Sequence, residues 1–86
     1  MDTEWNPVKN EANKAKHGCD FADFRGFDAP PAAVILDDRF DYAEDRFIAL
    51  GRIDGVPHAI VYTMRGTTMR LISFRRAHEE EIAHHE

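Results

Sequence analysis

Residues 46–76 read RFIALGRIDGVPHAIVYTMRGTTMRLISFRR, and the fold turns on how this stretch is punctuated. From Ala32 onward the period changes to two, and Arg46 to Ile53, Pro57 to Arg65 and Met69 to Arg75 read as strands. Asp54-Gly55 and Gly66-Thr67 break the alternation, each a hairpin signal because glycine adopts the positive φ of a tight turn. If both turns take two residues, Arg46, Thr63 and Arg70 share one row across the sheet. Ile48, Val61 and Ile72 form the next row, then Leu50, Ala59 and Phe74, then Arg52, Pro57 and Arg76. Arg65 stands one step beyond the first row. The opposite face takes Phe47, Tyr62 and Leu71, with His58 and Arg75 at its far end.

The same stretch carries six arginines, no lysine and a single acid, Asp54, inside a chain of formal net charge −5. A basic face on an acidic body is implied. Arginine in place of lysine favours forked contacts to phosphate or carboxylate over diffuse attraction.

Outward from this stretch, Asn6-Pro7 is a helix start, with Asn6 as cap and Pro7 where a missing N–H costs nothing. A helix from Val8 to His17 closes at Gly18, with Lys14, Lys16 and His17 in its last turn, where cations suit the dipole. Thr3-Glu4-Trp5 is a candidate short strand. Asp20 can cap a second helix, Phe21 to about Gly26, which Asp28 to Pro31 ends. Ala33 to Leu36 reads as a further strand closed by Asp37-Asp38, and His78 to Glu86 as a short C-terminal helix or a frayed tail. The expected architecture is α+β, with two N-terminal helices packed on an antiparallel sheet, in one domain spanning residues 1–86. No apolar run is long enough to span a membrane and the N-terminus lacks a signal-peptide core, so a cytoplasmic protein is expected. The single cysteine, Cys19, excludes an internal disulfide and a cysteine-rich zinc site, and reads as a small hydrophobe.

Three segments together carry a resemblance: EWNPVKNEANKAKHGCDF from Glu4, RFIALGRIDG from Arg46 and VYTMRGTTMRLISFRRA from Val61. They resemble the BrnT family, toxins of bacterial type II toxin–antitoxin modules, over Glu4 to about Ala77. The resemblance implies a RelE-like fold and a metal-independent, cofactor-free endoribonuclease that inhibits translation. It also implies neutralisation by a BrnA-like ribbon-helix-helix antitoxin in a hetero-oligomer that reaches operator DNA only through the antitoxin. The chain departs from the family pattern at Phe74, where a small residue is usual, and in its acidic residues Glu79 to Glu86.

RelE-like ribonucleases are understood to attack the phosphate with the adjacent 2′-oxygen. Such chemistry needs RNA held in line, cations on the phosphate oxygens and a route for protons. Arg46, Arg65 and Arg70 are the candidates for phosphate binding and transition-state stabilisation. His17 is the candidate proton carrier by its pKa range, against a plain reading as a helix-ending histidine. Glu44 is a second candidate base, against an exposed loop carboxylate. Arg75, Arg76, Arg52 and Tyr62 are candidates for holding RNA, although Tyr62 on the opposite face equally reads as core. His78, Glu81 and His85 share one helical face and have metal-ligand chemistry, yet a solvated tail explains them as well, and no metal is expected. The competing function is a catalytically weak binding module that holds an antitoxin and co-represses its operon.

Overall fold

The computed structural model describes residues 2–39 and 41–86. After a two-residue strand β1 (Thr3–Glu4), Asn6 and Pro7 open helix α1 (Pro7–His17). Asn6 Oδ1 accepts from the backbone N–H of Val8 at 2.8 Å and of Lys9 at 3.3 Å, satisfying donors that a helix start leaves free. Gly18 closes the helix in the left-handed region, φ 71°, and donates its N–H to the Lys14 carbonyl.

The expected pair of N-terminal helices packed on an antiparallel sheet is not the observed architecture. The described residues are mostly sheet: five strands with one full helix and a short C-terminal one. The expected second helix is a single 3₁₀ turn, Phe21–Asp23. Asn10 explains why it stops there. Its side chain accepts from Phe21 N at 3.0 Å and donates to Asp20 Oδ1 at 2.9 Å, pinning the segment to α1. Phe24 then turns extended, φ −78° and ψ 111°, so that Phe21 and Phe24 both enter the core without a helical backbone between them.

The strands are β2 (Ala33–Asp37), β3 (Arg46–Ile53), β4 (Val56–Arg65) and β5 (Thr68–Arg76), in the order β1-β5-β4-β3-β2. The sheet is mixed, because β1 runs parallel to β5 while the other pairs are antiparallel. Beyond β1, the free edge of β5 is completed by a side chain. Asn13 donates to the Phe74 carbonyl at 2.8 Å and accepts from Phe74 N–H at 3.1 Å, so its amide stands in for a strand.

The hairpin at Asp54-Gly55 has the expected register, Phe47 opposite Tyr62 through Ile53 opposite Val56. The second hairpin keeps it only from Arg65 opposite Thr68 to Tyr62 opposite Leu71. A bulge at Val61/Tyr62 then shifts the pairing by one, so Val61 faces Ser73, Ile60 faces Phe74 and Ala59 faces Arg75. The expected rows of Val61 with Ile72, Ala59 with Phe74 and Pro57 with Arg76 are therefore replaced. The cause is packing. Leu71 and Phe74 lie three apart, on opposite faces of a regular strand, yet both belong to the core with Phe21, Phe24, Ile60 and Met69. One extra residue, Ile72, lets both point inward. It also carries Arg75 to the face that holds Arg52.

The core lies on the face beneath the 3₁₀ segment. Gly51 on that face leaves room for Phe27, since a Cβ there would sit 2.5 Å from its ring. On the opposite face, Leu50 and Ala59 are buried, and α2 (Glu79–Ala83) lies at the end that carries Arg52 and Arg75. Ile82 of α2 is fully buried, so the tail is docked and not frayed. No described helix is long and apolar enough to cross a membrane.

Candidate nucleic-acid interface

One row crosses the whole sheet on the face opposite the core. Asp37 pairs with Arg46, the register of β3 and β4 carried one residue further puts Arg46 beside Thr63, Thr63 pairs with Arg70, and Arg70 with Glu4. Two arginines thus flank a threonine, with an acid at each edge. The acids do not neutralise the row. Asp37 is buried and taken by Arg39, whose guanidinium donates to it at 2.8 and 3.0 Å, with the Tyr42 hydroxyl at 3.5 Å. These bonds, Arg39's first, hold the Asp37 carboxyl below the usual range. Glu4 lies 3.4 Å from Arg70, and Glu44 3.8 Å from the exposed Arg65. Both are loose, solvated pairs of little energetic weight.

Arg46 is held differently. Its guanidinium stacks over the Tyr42 ring, 3.9 Å from the centroid, a cation–π contact that fixes the plane of the fork. Its Nε is buried and has no acceptor among the described residues. Buried donors are seldom left so, and an anion on this face would supply the missing acceptor. Thr63, 2% exposed, donates to the Asp45 carbonyl at 2.6 Å and ties the loop before β3 to the centre of the row.

The other candidates fall elsewhere. His17 ends α1 beside Ile72 and Ser73, in a shallow depression of about 300 Å³ with Lys9 and Lys16. Partial burial lowers its pKa below the ordinary value, and the charges of Lys16 and Arg75 add to that. Ser73 is three residues along β5 from Arg70, about 10 Å at strand spacing, so His17 groups with Arg75 and not with the Arg46 row. Tyr62 faces the other way, with its ring 5.6 Å from Phe47. It lines a cavity of about 630 Å³ with Phe24, Phe27, Val34 and Met69, and burial pushes its phenol up.

Arg52 and Arg75 are occupied by α2 and the residues after it. Arg52 donates to Glu79 at 2.6 and 3.2 Å and to Glu86 at 2.7 and 2.9 Å. Arg75 donates to Glu81 at 3.0 and 3.2 Å. That contact and the His78 N–H hold the Glu81 carboxyl down to about 2. Arg76 is exposed. Among the described residues no group of His, Cys, Asp and Glu is placed to hold a metal ion, and Glu81 is turned to Arg75 instead of to His85.

Sequence reasoning missed Tyr42, the Asp37–Arg39 pair and Glu4. Tyr42 and Arg39 lie outside periodic segments, where spacing says nothing about which strand residue they meet. Glu4 was legible only in part, because a two-residue strand does not name its partner.

No curated protein matches the chain. A family model described as the ribonuclease toxin, BrnT, of type II toxin–antitoxin systems matches residues 5–81, a span that takes in the Arg46–Thr63–Arg70 row, His17 and Glu81. The chain belongs to this family of ribonuclease toxins.

Proposed function

We propose that this chain is an endoribonuclease that cleaves RNA on the sheet face crossed by Arg46, Thr63 and Arg70, and that a BrnA-like antitoxin neutralises it. The observation that carries the reading is Arg46, stacked on Tyr42 with a buried Nε that has no acceptor among the described residues, beside a second arginine across Thr63. A phosphate there would accept from Arg46 and Arg70 together. Charge growing on its oxygens during attack by the 2′-oxygen would meet donors already in place. Arg65, at the open end, extends the same positive rim. His17, partly buried with its pKa lowered, would meet RNA that runs along β5 toward Arg75, and its distance from Arg70 gives it a positioning role there instead of the proton transfer at the Arg46 row. Inhibition of translation follows if messenger RNA is the substrate, in the cytoplasm where that RNA lies.

The test is cleavage of a defined single-stranded RNA by purified, antitoxin-free protein. Arg46→Ala and Arg70→Ala should each lower the rate about 100-fold, the typical cost of one transition-state donor, with unchanged circular dichroism. Intact RNA with the wild-type protein, and no growth arrest on its expression, would discard the enzyme reading.

A binding module that holds an antitoxin and joins it in repression is favoured by one feature. Ile35 is 43% exposed, and Ile48 and Val61 are half-buried beside it on the arginine face, an apolar strip beside the charged row. If Arg46→Ala and Arg70→Ala keep antitoxin binding and operon repression while the wild type shows no cleavage, this second reading replaces the first.

A further inference from the structure

Arg52 and Arg75 lie on the same sheet face as Arg46 and Arg70, and their partners come from one short acidic segment. Residues 77–86 contain Glu79, Glu80, Glu81 and Glu86 and no lysine or arginine. Glu79 and Glu86 converge on the two edges of the Arg52 guanidinium, and Glu81 takes the fork of Arg75. These are the edge-on, two-oxygen contacts that arginine makes to phosphate. Glu80 makes no such pair among the described residues. The segment is held by Ile82, fully buried, and by the Ala77 N–H to the Pro57 carbonyl at 2.9 Å. A five-residue helix has no stability of its own, so its place depends on Ile82, on the Ala77 bond and on ion pairs that are exposed at Glu79 and Glu86 and half-buried at Glu81.

We infer that Glu79, Glu81 and Glu86 are built-in phosphate mimics that close a second anion subsite, Arg52 with Arg75, and that RNA must displace them to occupy the full arginine face. The inference rests on the ribonuclease reading above and adds regulation to it. Displacement balances as an exchange of partners: Arg52 gives up the Glu79 and Glu86 carboxylates and Arg75 gives up Glu81, each guanidinium takes a phosphate, and the three carboxylates return to water. A polyanion with several phosphates at fixed spacing competes well against two exposed carboxylates, Glu79 and Glu86, and the half-buried Glu81, while a single phosphate competes poorly.

The experiment compares the unaltered protein, the E79Q/E81Q/E86Q variant and a control, D23N/D38N/E80Q, that removes three charges, none of them on a carboxylate paired with these arginines. The probe is a short fluorescent single-stranded RNA with 2′-O-methyl sugars, which cannot be cleaved. The tail variant should bind about tenfold more tightly than wild type, the control no more than about twofold. Its log-affinity against log-salt slope should also be steeper by about 1.4, because two arginines then release counterions to two phosphates. Adding R52A/R75A to the tail variant should abolish the gain. On the unaltered protein, RNA should speed amide exchange at Ile82 and Ala83, a readout that no folding defect of a variant can confuse. Equal affinity of tail variant and control, or slower exchange at Ile82 with RNA, would overturn the masking while leaving the ribonuclease reading intact. If no form binds or cleaves RNA, both fall together.

Discussion

At the scale of single residues, Asn10, Asn13 and Arg46 do what the hydrophobic pattern cannot, Asn10 by pinning Asp20 and Phe21 to α1. Asn13 sits in the middle of α1, a poor place for its propensity, because its amide completes the open edge of β5 and also donates to the Cys19 carbonyl at 2.9 Å. Asn13→Ala removes all of these bonds and leaves the buried Phe74 N–H and carbonyl without partners. A loss of about 2–4 kcal/mol is expected in urea denaturation, with Asn13→Asp nearly as damaging because it cannot donate to the Phe74 carbonyl. Arg46 poses the opposite case, a group whose local environment is incomplete. Arg46→Lys keeps the charge but loses the flat stack on Tyr42 and the fork, so RNA cleavage should fall nearly as far as in Arg46→Ala. Full activity in Arg46→Lys would show that only charge matters at this position.

At the scale of elements, the bulge in β5 decides which arginines cooperate. It seats Phe74 in the core and leaves Ile72 outside it. Phe74→Ala should therefore cost about 3–5 kcal/mol, and Ile72→Thr less than about 1, a contrast that a regular strand would reduce because both would then lie on the same side of the core boundary. Similar losses for the two variants in chemical denaturation would contradict the register. Much of the element pattern was readable in advance. Asn6-Pro7, Gly18, Asp54-Gly55 and Gly66 each announced a boundary through a local conformational demand, and the structure has a boundary at each. The row of Thr63 with Arg70 followed from turn length alone. What escaped was non-local. The bulge answers a packing demand between Leu71, Phe74 and the distant Phe24, and the unwound Phe21–Phe24 segment answers Asn10, ten residues or more away. Neither leaves a periodic trace in its own stretch. A regular β5 would put Arg75 on the core face, and the bulge instead carries it to the face where Glu81 meets it.

At the scale of the molecule, the sheet separates two chemistries. One face buries aromatic side chains. The other carries Arg46, Arg65 and Arg70 toward one end, Arg65 and Arg70 loosely paired and Arg46 with a buried Nε that has no acceptor among the described residues, and Arg52 and Arg75 toward the other, covered by α2. This division sets how the whole fold responds to acid. His17 is held below its ordinary pKa by burial first, and Glu79, Glu81 and Glu86 below theirs chiefly by hydrogen bonds from Arg52 and Arg75. For every one of these groups the native state binds the proton less well than the unfolded chain does, so each contributes stability at higher pH that is lost as pH falls. His17 acts first: its contribution is complete above pH 6.5, its ordinary value, and declines below it. The carboxylates follow, complete above pH 4.5 and lost as pH falls toward about 2, the value to which Glu81 is held. Thermal melts at low salt should show a plateau above pH 6.5, a shallow decline below it and a steeper one below pH 4.5. His17→Gln should erase the shallow decline and spare the steep one, whereas E79Q/E81Q/E86Q should reduce the steep one and spare the shallow. Because the Glu79 and Glu86 pairs are exposed and the Glu81 pair is only half-buried, added salt should flatten the steep limb more than the shallow limb, which comes mainly from burial. A shallow limb that persists unchanged in His17→Gln would remove His17 as its source, and with it the support that burial gives to a neutral imidazole beside the RNA path.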